Sequence, residues 1–104
     1  MNDVFLDTFR LAGGQYYELK DVIKDIQIDD LLDLVAEPEN PYDEFAVQVF
    51  WEYDDCLCLL GYLSRTNNRI IHNMLNGNLK LYGLVTDVNK QYSTQLEFDI
   101  YLHL

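Results

Sequence analysis

The chain has 104 residues, and this length suits one domain built around one hydrophobic core. Hydrophobic residues make up 49% of the chain and charged residues 24%, so the composition excludes an intrinsically disordered protein. Eighteen acidic residues against seven basic ones give a net charge of −11, which argues against broad electrostatic coating of nucleic acid or anionic lipid.

The first third of the chain contains two strand patterns and one helix pattern. Residues 5–12 form a mixed apolar and polar run that ends at two adjacent glycines, which is typical of a strand followed by a turn. Within residues 18–27 the apolar positions recur at i, i+3, i+4 and i+7, and this spacing predicts a short amphipathic helix. Residues 31–37 predict a second strand, and residues 37–44 a loop.

The middle of the chain predicts a β-hairpin. Residues 45–52 and 57–63 are both strand-like, and the short connection over 53–55 favours antiparallel pairing. Gly61 interrupts the second run, which indicates a bend or the close approach of another backbone.

The last third predicts a helix followed by two strands. Residues 65–76 have a helical apolar period, with Ser64 as the N-cap and Gly77 as a left-handed stop. Residues 79–88 and 96–104 read as strands, and the second alternates strictly between apolar and polar positions.

Strands dominate these elements and the turns between them are closely spaced. We therefore expect residues 1–104 to form a single domain of mainly β (α+β) class, a small OB-like antiparallel barrel with two short helices. The apolar halves of the alternating strands should form its core, which we predict to contain Leu32, Leu34, Val47, Val49, Leu57, Leu59, Val85, Phe98, Ile100 and Leu102.

The N-terminal segment and the cysteines indicate the cellular compartment. Asp3 and Asp7 stand where a secretory signal would carry positive charge, and no apolar run approaches the length of a membrane span. Cys56 and Cys58 are two residues apart, a poor spacing for a mutual disulfide on a strand. We expect a cytoplasmic, soluble protein with free thiols and no contact with a membrane.

No catalytic or metal-binding pattern is present in the sequence. The phosphate-cradling, nucleophile-elbow and zinc-protease motifs are absent. His72 and His103 lack Cys or His neighbours at the spacing of zinc sites, and the two cysteines alone supply only half of a tetrahedral site. We expect no enzymatic activity, no metal and no cofactor.

Two segments stand out as candidate binding elements. Residues 37–43, Glu-Pro-Glu-Asn-Pro-Tyr-Asp, form a stiff turn, because two prolines fix the backbone while Asn40 and Asp43 can bond nearby amides. On composition alone a simple connecting turn is the commoner explanation. Tyr16 and Tyr17 diverge on extended backbone, so at least one ring should be exposed, as a platform for stacking bases or as a half-buried ring at the barrel mouth.

Four strings in their order and spacing resemble the HIRAN domain. They are Gly-Gln-Tyr-Tyr at 14–17, Leu-Val-Ala-Glu-Pro-Glu-Asn-Pro-Tyr-Asp at 34–43, Ala-Val-Gln-Val at 46–49 and Gly-Tyr-Leu-Ser-Arg at 61–65. The resemblance implies a modified OB-like barrel that captures the free 3′ end of single-stranded DNA. In eukaryotes this module lies at the N-terminus of fork-remodelling ATPases active in DNA repair, and in bacteria and phages it also occurs alone.

Carried over residue by residue, the resemblance implies a nucleic-acid-binding pocket made of Tyr16, Tyr17, Asn40, Tyr42, Asp43, Tyr62 and Arg65. The tyrosines would surround the terminal nucleotides, Asp43 would accept a hydrogen bond from the 3′ hydroxyl, and Arg65 would contact a phosphate. Asn40 would line the pocket, and Tyr62 stands where an imidazole can occur. Rings supply stacking, a carboxylate recognises a hydroxyl, and a guanidinium neutralises a phosphate.

The charge of the chain keeps a second function open. Gln15 occupies a position that is basic in the eukaryotic end-binding version, and Arg65 with Arg69 is the one clear basic pair. We therefore expect weak binding of single-stranded DNA ends, detectable at low salt. The alternative is an acidic protein-interaction domain that keeps the barrel and binds a protein partner, without binding DNA.

Overall fold

In the computed structural model, which describes residues 2–89 and 95–104, six antiparallel strands form a closed barrel. The order around the barrel is β1-β4-β3-β2-β5-β6, and β6 pairs back onto β1. The predicted class, an antiparallel barrel with two short helices, is confirmed. The strands are β1 (Val4–Ala12), β2 (Leu31–Ala36), β3 (Val47–Tyr53), β4 (Cys56–Leu63), β5 (Leu81–Val88) and β6 (Leu96–Leu102).

Alternating side chains from all six strands fill the barrel. Seven predicted core residues are buried: Leu32, Leu34, Val47, Val49, Val85, Phe98 and Ile100. Leu102 is partly buried against them. Every second residue points inward, because successive side chains of a pleated strand lie on opposite faces of the sheet.

The predicted inward face of β4 was wrong. Leu57 is 53% exposed and Leu59 is only half-buried, whereas Cys58 and Leu60 are buried. The run from Cys56 to Leu60 is apolar on both faces, so its alternation carries no information about which face is inside. The pairing with β3 also contains a bulge that places one extra residue in β4 just before Gly61.

Gly61 is where β4 comes against β1, and the predicted close approach is confirmed. A Cβ at this position would lie 2.6 Å from the backbone oxygen of Ala12 and 3.1 Å from the side chain of Leu11. Beyond this contact β1 pairs with β4 at only two positions, Leu11 with Leu63 and Ala12 with Tyr62.

The β3–β4 connection is a tight hairpin, as predicted. Tyr53 pairs with Cys56, and the two residues between them, Asp54 and Asp55, both have positive φ, at 53° and 65°. Two left-handed residues are the signature of a type I′ turn, whose twist matches that of the flanking strands. Both cysteines are free, with Cys56 exposed and Cys58 buried.

The predicted helix over 18–27 is shorter than its apolar pattern suggested. It consists of one α-helical turn, α1 (Leu19–Val22), followed by a 3₁₀ turn at Ile23–Asp25. Leu19, Ile23 and Ile26 are buried as the pattern indicated. Ten residues are too few to hold a helix on their own, so the backbone follows the packing of these three side chains onto the barrel.

The second helix, α2 (Arg69–Asn76), begins four residues later than predicted. Ser64 does not cap it, because Ser64 accepts from Asn67 in a separate turn, and Asn68 holds the N-cap position. The left-handed stop is Asn78, with φ 69°, and Gly77 has φ −85°. No helix in the described part of the chain is long and apolar enough to cross a bilayer.

We expect Gly61→Ala to lower the free energy of unfolding by about 1–3 kcal/mol, because the new methyl group overlaps a backbone oxygen in a closed barrel. Gly77→Ala is the matched control, since Gly77 has a negative φ and its Cβ would come no closer than 3.3 Å to another atom. Urea denaturation of both variants measures the difference. Equal stability of the two variants would contradict the close approach of Gly61 to the backbone oxygen of Ala12.

Candidate nucleic-acid interface

The loop between β2 and β3 is held rigid by its own hydrogen bonds. The amide of Glu37 donates to the carbonyl of Ala46 at 2.9 Å and closes the base of the loop. Asn40 Oδ1 accepts from the amides of Tyr42 at 2.8 Å and Asp43 at 3.0 Å. This Asx-type turn adds to the stiffness of the two prolines and confirms the predicted rigid turn.

The carboxylate of Asp43 connects three parts of the site. Its Oδ1 accepts from the amide of Phe45 at 3.0 Å, and its Oδ2 accepts from Asn68 Nδ2 at 2.7 Å. Arg65 Nε lies 3.8 Å from the same Oδ2. A carboxylate has about four lone-pair sites, so Asp43 retains the capacity to accept from one further donor.

Arg65 lies at the edge of the site with most of its donors directed to water. One of its terminal nitrogens donates to the carbonyl of Tyr42, and its side chain is 71% exposed. An exposed ion pair such as the one with Asp43 contributes little to stability. A guanidinium carries five N–H donors, so Arg65 can bind an anion without leaving these partners.

Glu37 joins the loop to β4. Its Oε1 accepts from Asn40 Nδ2 at 2.5 Å and from the hydroxyl of Tyr62 at 3.1 Å. The ring of Tyr62 in turn contacts the ring of Tyr17, with 5.4 Å between their centroids. Burial, together with the hydrogen bond to the Glu37 carboxylate, raises the pKa of Tyr62 to about 12.

The turn that follows β1 presents the tyrosine pair. Gly13 has φ 73°, a left-handed conformation that glycine adopts without strain, and its carbonyl accepts from the amide of Tyr16 at 2.9 Å. A 3₁₀ turn over Gly14–Tyr16 then directs Tyr16 outward while Tyr17 packs on Tyr62. One ring of the pair is exposed, as predicted, but the predicted extended backbone was wrong, because Tyr16 lies in the 3₁₀ turn.

Six of the seven predicted site residues line one cleft of about 230 Å³: Tyr16, Tyr17, Tyr42, Asp43, Tyr62 and Arg65. The rings of Tyr16 and Tyr42 are the most exposed parts of it, at 77% and 83%. The seventh residue, Asn40, does not line the cleft. It positions Tyr42 and Asp43 through the hydrogen bonds to their amides.

Sequence reasoning missed two residues that hold the site together, Glu37 as the acceptor of Tyr62 and Asn68 as the donor to Asp43. Each of these contacts joins side chains 25 positions apart in the chain. No local pattern signals such a pair, although the 2% exposure of Asn68 marks an amide that needs a partner. Within residues 2–89 and 95–104, no group of three or more His, Cys, Asp or Glu side chains is placed to hold a metal ion.

We expect two of the tyrosines, Tyr62 and Tyr82, to ionise near pH 12. Their pKa values are higher in the folded chain than the value of about 10 for an unfolded chain. The stability that they contribute is therefore complete below about pH 10 and lost as the pH rises through about 12. Alkaline titration, followed by tyrosinate absorbance on intact protein, measures both groups.

Glu37→Gln separates the two tyrosines in this titration. It keeps an oxygen acceptor for Tyr62 but removes the negative charge, so the pKa of Tyr62 should fall. Tyr82 is the internal control, because its pKa is raised first by the hydrogen bond to Asp3, which this variant does not touch. If the pKa of Tyr62 is the same in Glu37→Gln as in the wild type, the contact between Glu37 and Tyr62 is contradicted.

Comparisons with known proteins identify the family of the chain and its fold. The model of the HIRAN domain family matches residues 7–104. No curated protein sequence matches the chain significantly. A crystal structure of a Lactobacillus plantarum protein, a structural genomics target, is similar with 26% sequence identity and a TM-score of 0.86, over 97% of this chain and 95% of that one.

Two structures of a human protein module share the fold. The crystal structure of the HIRAN domain of human HLTF is 16% identical with a TM-score of 0.71, over 96% of this chain and 78% of that one. The NMR structure of the HLTF HIRAN domain is 14% identical with a TM-score of 0.59, over 96% of this chain and 77% of that one.

Proposed function

Because the chain belongs to the HIRAN domain family, a family of DNA-binding modules that are not catalytic by themselves, we propose that it captures the 3′ end of single-stranded DNA. The observation that carries the proposal is the cleft, in which two exposed tyrosine rings flank a carboxylate and a guanidinium. Stacking, hydroxyl recognition and phosphate contact are thus available within one small volume.

Stacking supplies most of the binding energy in this proposal. Tyr16 and Tyr42 come from two different loops and line the same cleft with their rings exposed. A base stacked on an aromatic side chain contributes about 1–3 kcal/mol in single-strand binders. Neither ring must leave the core to bind a base, so the site requires little rearrangement.

Asp43 supplies recognition of the strand end. A terminal 3′ hydroxyl has a proton to donate, and the Asp43 carboxylate has capacity for one more donor beside Phe45, Asn68 and Arg65. A hydrogen bond to a charged acceptor is worth about 1.5–3 kcal/mol. A 3′ phosphate offers negative charge to the same carboxylate and should be disfavoured.

Six of the eighteen acidic residues lie at a distance from the cleft. Six carboxylates line one groove of about 670 Å³, which has no Lys or Arg in its lining: Asp25, Asp30, Asp33, Glu52, Asp54 and Asp55. Ala46 lines the cleft before β3 begins, and the groove carboxylate Asp33 pairs with Phe50, four residues further along, which corresponds to about 13 Å. The Debye length at physiological salt is about 8 Å, so this acidic groove is screened from the cleft.

The proposal is tested by titrating two fluorescent oligonucleotides of equal sequence, one with a free 3′ hydroxyl and one with a 3′ phosphate, at low ionic strength. We expect the free hydroxyl to bind about tenfold more tightly, since one charge-assisted hydrogen bond separates the two ligands. Modification of the 5′ end should make no difference. Equal affinities would contradict recognition of the 3′ end.

Two variants separate end recognition from phosphate binding. Asp43→Asn should reduce the preference for the hydroxyl more than it reduces total affinity, and unlike alanine it leaves an oxygen for its neighbours. Arg65→Ala should weaken both ligands alike and reduce the slope of log affinity against log salt by about 0.7, the value of one single-strand phosphate contact. Arg10→Ala changes the net charge equally but lies outside the cleft, so it should match the wild type.

Failure of the wild type to bind either oligonucleotide would favour the protein-interaction function instead. The acidic groove is then the available surface, and its charge fits a Lys- or Arg-rich partner segment.

A further inference from the structure

A second cavity, of about 550 Å³, lies between β1 and the start of α2. We name it the α2 groove, and its lining includes Leu6, Asp7, Phe9, Asn67, Arg69 and Ile70. Its volume is more than twice that of the cleft. OB-type barrels bind about 4–16 nucleotides, and a cleft of about 230 Å³ leaves most of such a strand without a surface.

Arg69 carries a positive charge that no carboxylate neutralises in the part of the chain that the structure describes. Arg10 pairs with Glu97 and Arg65 with Asp43, but Arg69 forms no such ion pair. Its guanidinium carbon lies 4.8 Å from the centre of the Phe45 ring. Stacking on an aromatic face orients a guanidinium and leaves its N–H groups free at the rim, which suits a phosphate.

The α2 groove and the cleft adjoin each other along the chain. Arg65 lines the cleft and Asn67 lines the groove, and two residues span at most about 7 Å. Between Asn67 and Arg69, Asn68 donates to Asp43 of the cleft. A strand that leaves the cleft past Arg65 therefore reaches Arg69 next.

The lining of the groove fits nucleotides of any sequence. Ile70 is 70% exposed and forms an apolar surface with Leu6, on which a base or sugar can pack. The amides of Asn67 and Asn73 each offer donors and an acceptor to base edges. Asp7 is the one carboxylate in the lining, and its Oδ1 accepts from the amide of Thr8 at 2.7 Å.

We propose that the α2 groove is a second nucleotide subsite, which holds the nucleotides preceding the captured end, with Arg69 in contact with a phosphate. This inference rests on the proposed function of the cleft. The subsite sets affinity and the length of strand required, while the cleft sets the preference for the 3′ hydroxyl.

The test compares an octanucleotide with a trinucleotide, both with free 3′ hydroxyls, in fluorescence titrations over a salt series. The octanucleotide should bind more tightly than the trinucleotide, which lacks the part that reaches the groove. Arg69→Gln should weaken the octanucleotide about three- to fivefold and reduce its salt slope by about 0.7, yet leave the trinucleotide unaffected. Arg65→Ala should weaken both, and Arg10→Gln, the matched surface control, neither.

The variant Asp7→Asn should change the affinity for the octanucleotide in the opposite direction to Arg69→Gln. It removes the negative charge that faces a phosphate in the groove, so the octanucleotide should bind more tightly while the trinucleotide does not change. Melting temperatures of all variants should stay near that of the wild type, because the substituted side chains are exposed.

The outcomes distinguish the subsite from the cleft. If the trinucleotide binds as tightly as the octanucleotide, or if Arg69→Gln leaves the octanucleotide unchanged, the subsite does not exist although end capture stands. If Arg69→Gln changes the ratio of affinities for hydroxyl and phosphate ends, Arg69 belongs to the cleft and the subsite is again overturned. If the wild type binds no oligonucleotide, both the proposed function and this inference fail.

Discussion

Gly61 has no Cβ at the point where β4 approaches the carbonyl of Ala12, and the barrel closes through that contact. The closure places Tyr62 and Leu63 beside the end of β1, and this juncture is one wall of the cleft. Strands β1 and β4 pair at two positions only, Leu11 with Leu63 and Ala12 with Tyr62. The α1 turn packs against β4, and α2 borders the groove beside β1. The cleft therefore lies where β1 and β4 pair over only two residues, and the α2 groove borders the same strand β1.

Asp43 couples the parts of the site that this seam brings together. It accepts from its own loop through Phe45 and from the N-cap of α2 through Asn68, and it pairs with Arg65. An acceptor that carries negative charge favours a hydroxyl, which can donate, over a phosphate, which repels it. The contact with Asn68 also fixes where α2 begins, so the same carboxylate that faces the cleft helps to place Arg69 over the groove.

The strands could be predicted from sequence because a period of two on a half-buried sheet leaves a visible pattern, as in β6. The pattern failed in β4, where both faces are apolar and a bulge before Gly61 changes the register. The extent of α1 and the start of α2 were wrong because distant contacts decide them. The backbone of α1 follows its packing onto the barrel, and Asn68 bonds to Asp43 rather than capping α2 by its side chain. Local stiffness and family resemblance together located the cleft residues, whereas the α2 groove joins β1 to residues some 60 positions away and left no local signal.

The distribution of charge determines what kind of binder such an acidic barrel can be. Lowering the salt concentration strengthens the contact of a phosphate with Arg65, because counterions are released into a more dilute solution. It also extends the Debye length, which reaches about 30 Å at 0.01 M, beyond the roughly 13–20 Å that separates Ala46 of the cleft from Asp33 and Glu52 of the acidic groove. Repulsion between the bound phosphate and the six carboxylates of the acidic groove then opposes the gain in affinity. If the chain binds strand ends as proposed, its salt dependence should therefore be shallower than its arginine contacts alone would give, and stacking by Tyr16 and Tyr42 with the hydroxyl contact should supply most of the affinity in the cleft. Under the proposed function, the cleft selects the strand end, and the few arginine contacts add only modest affinity for the nucleotides that precede it.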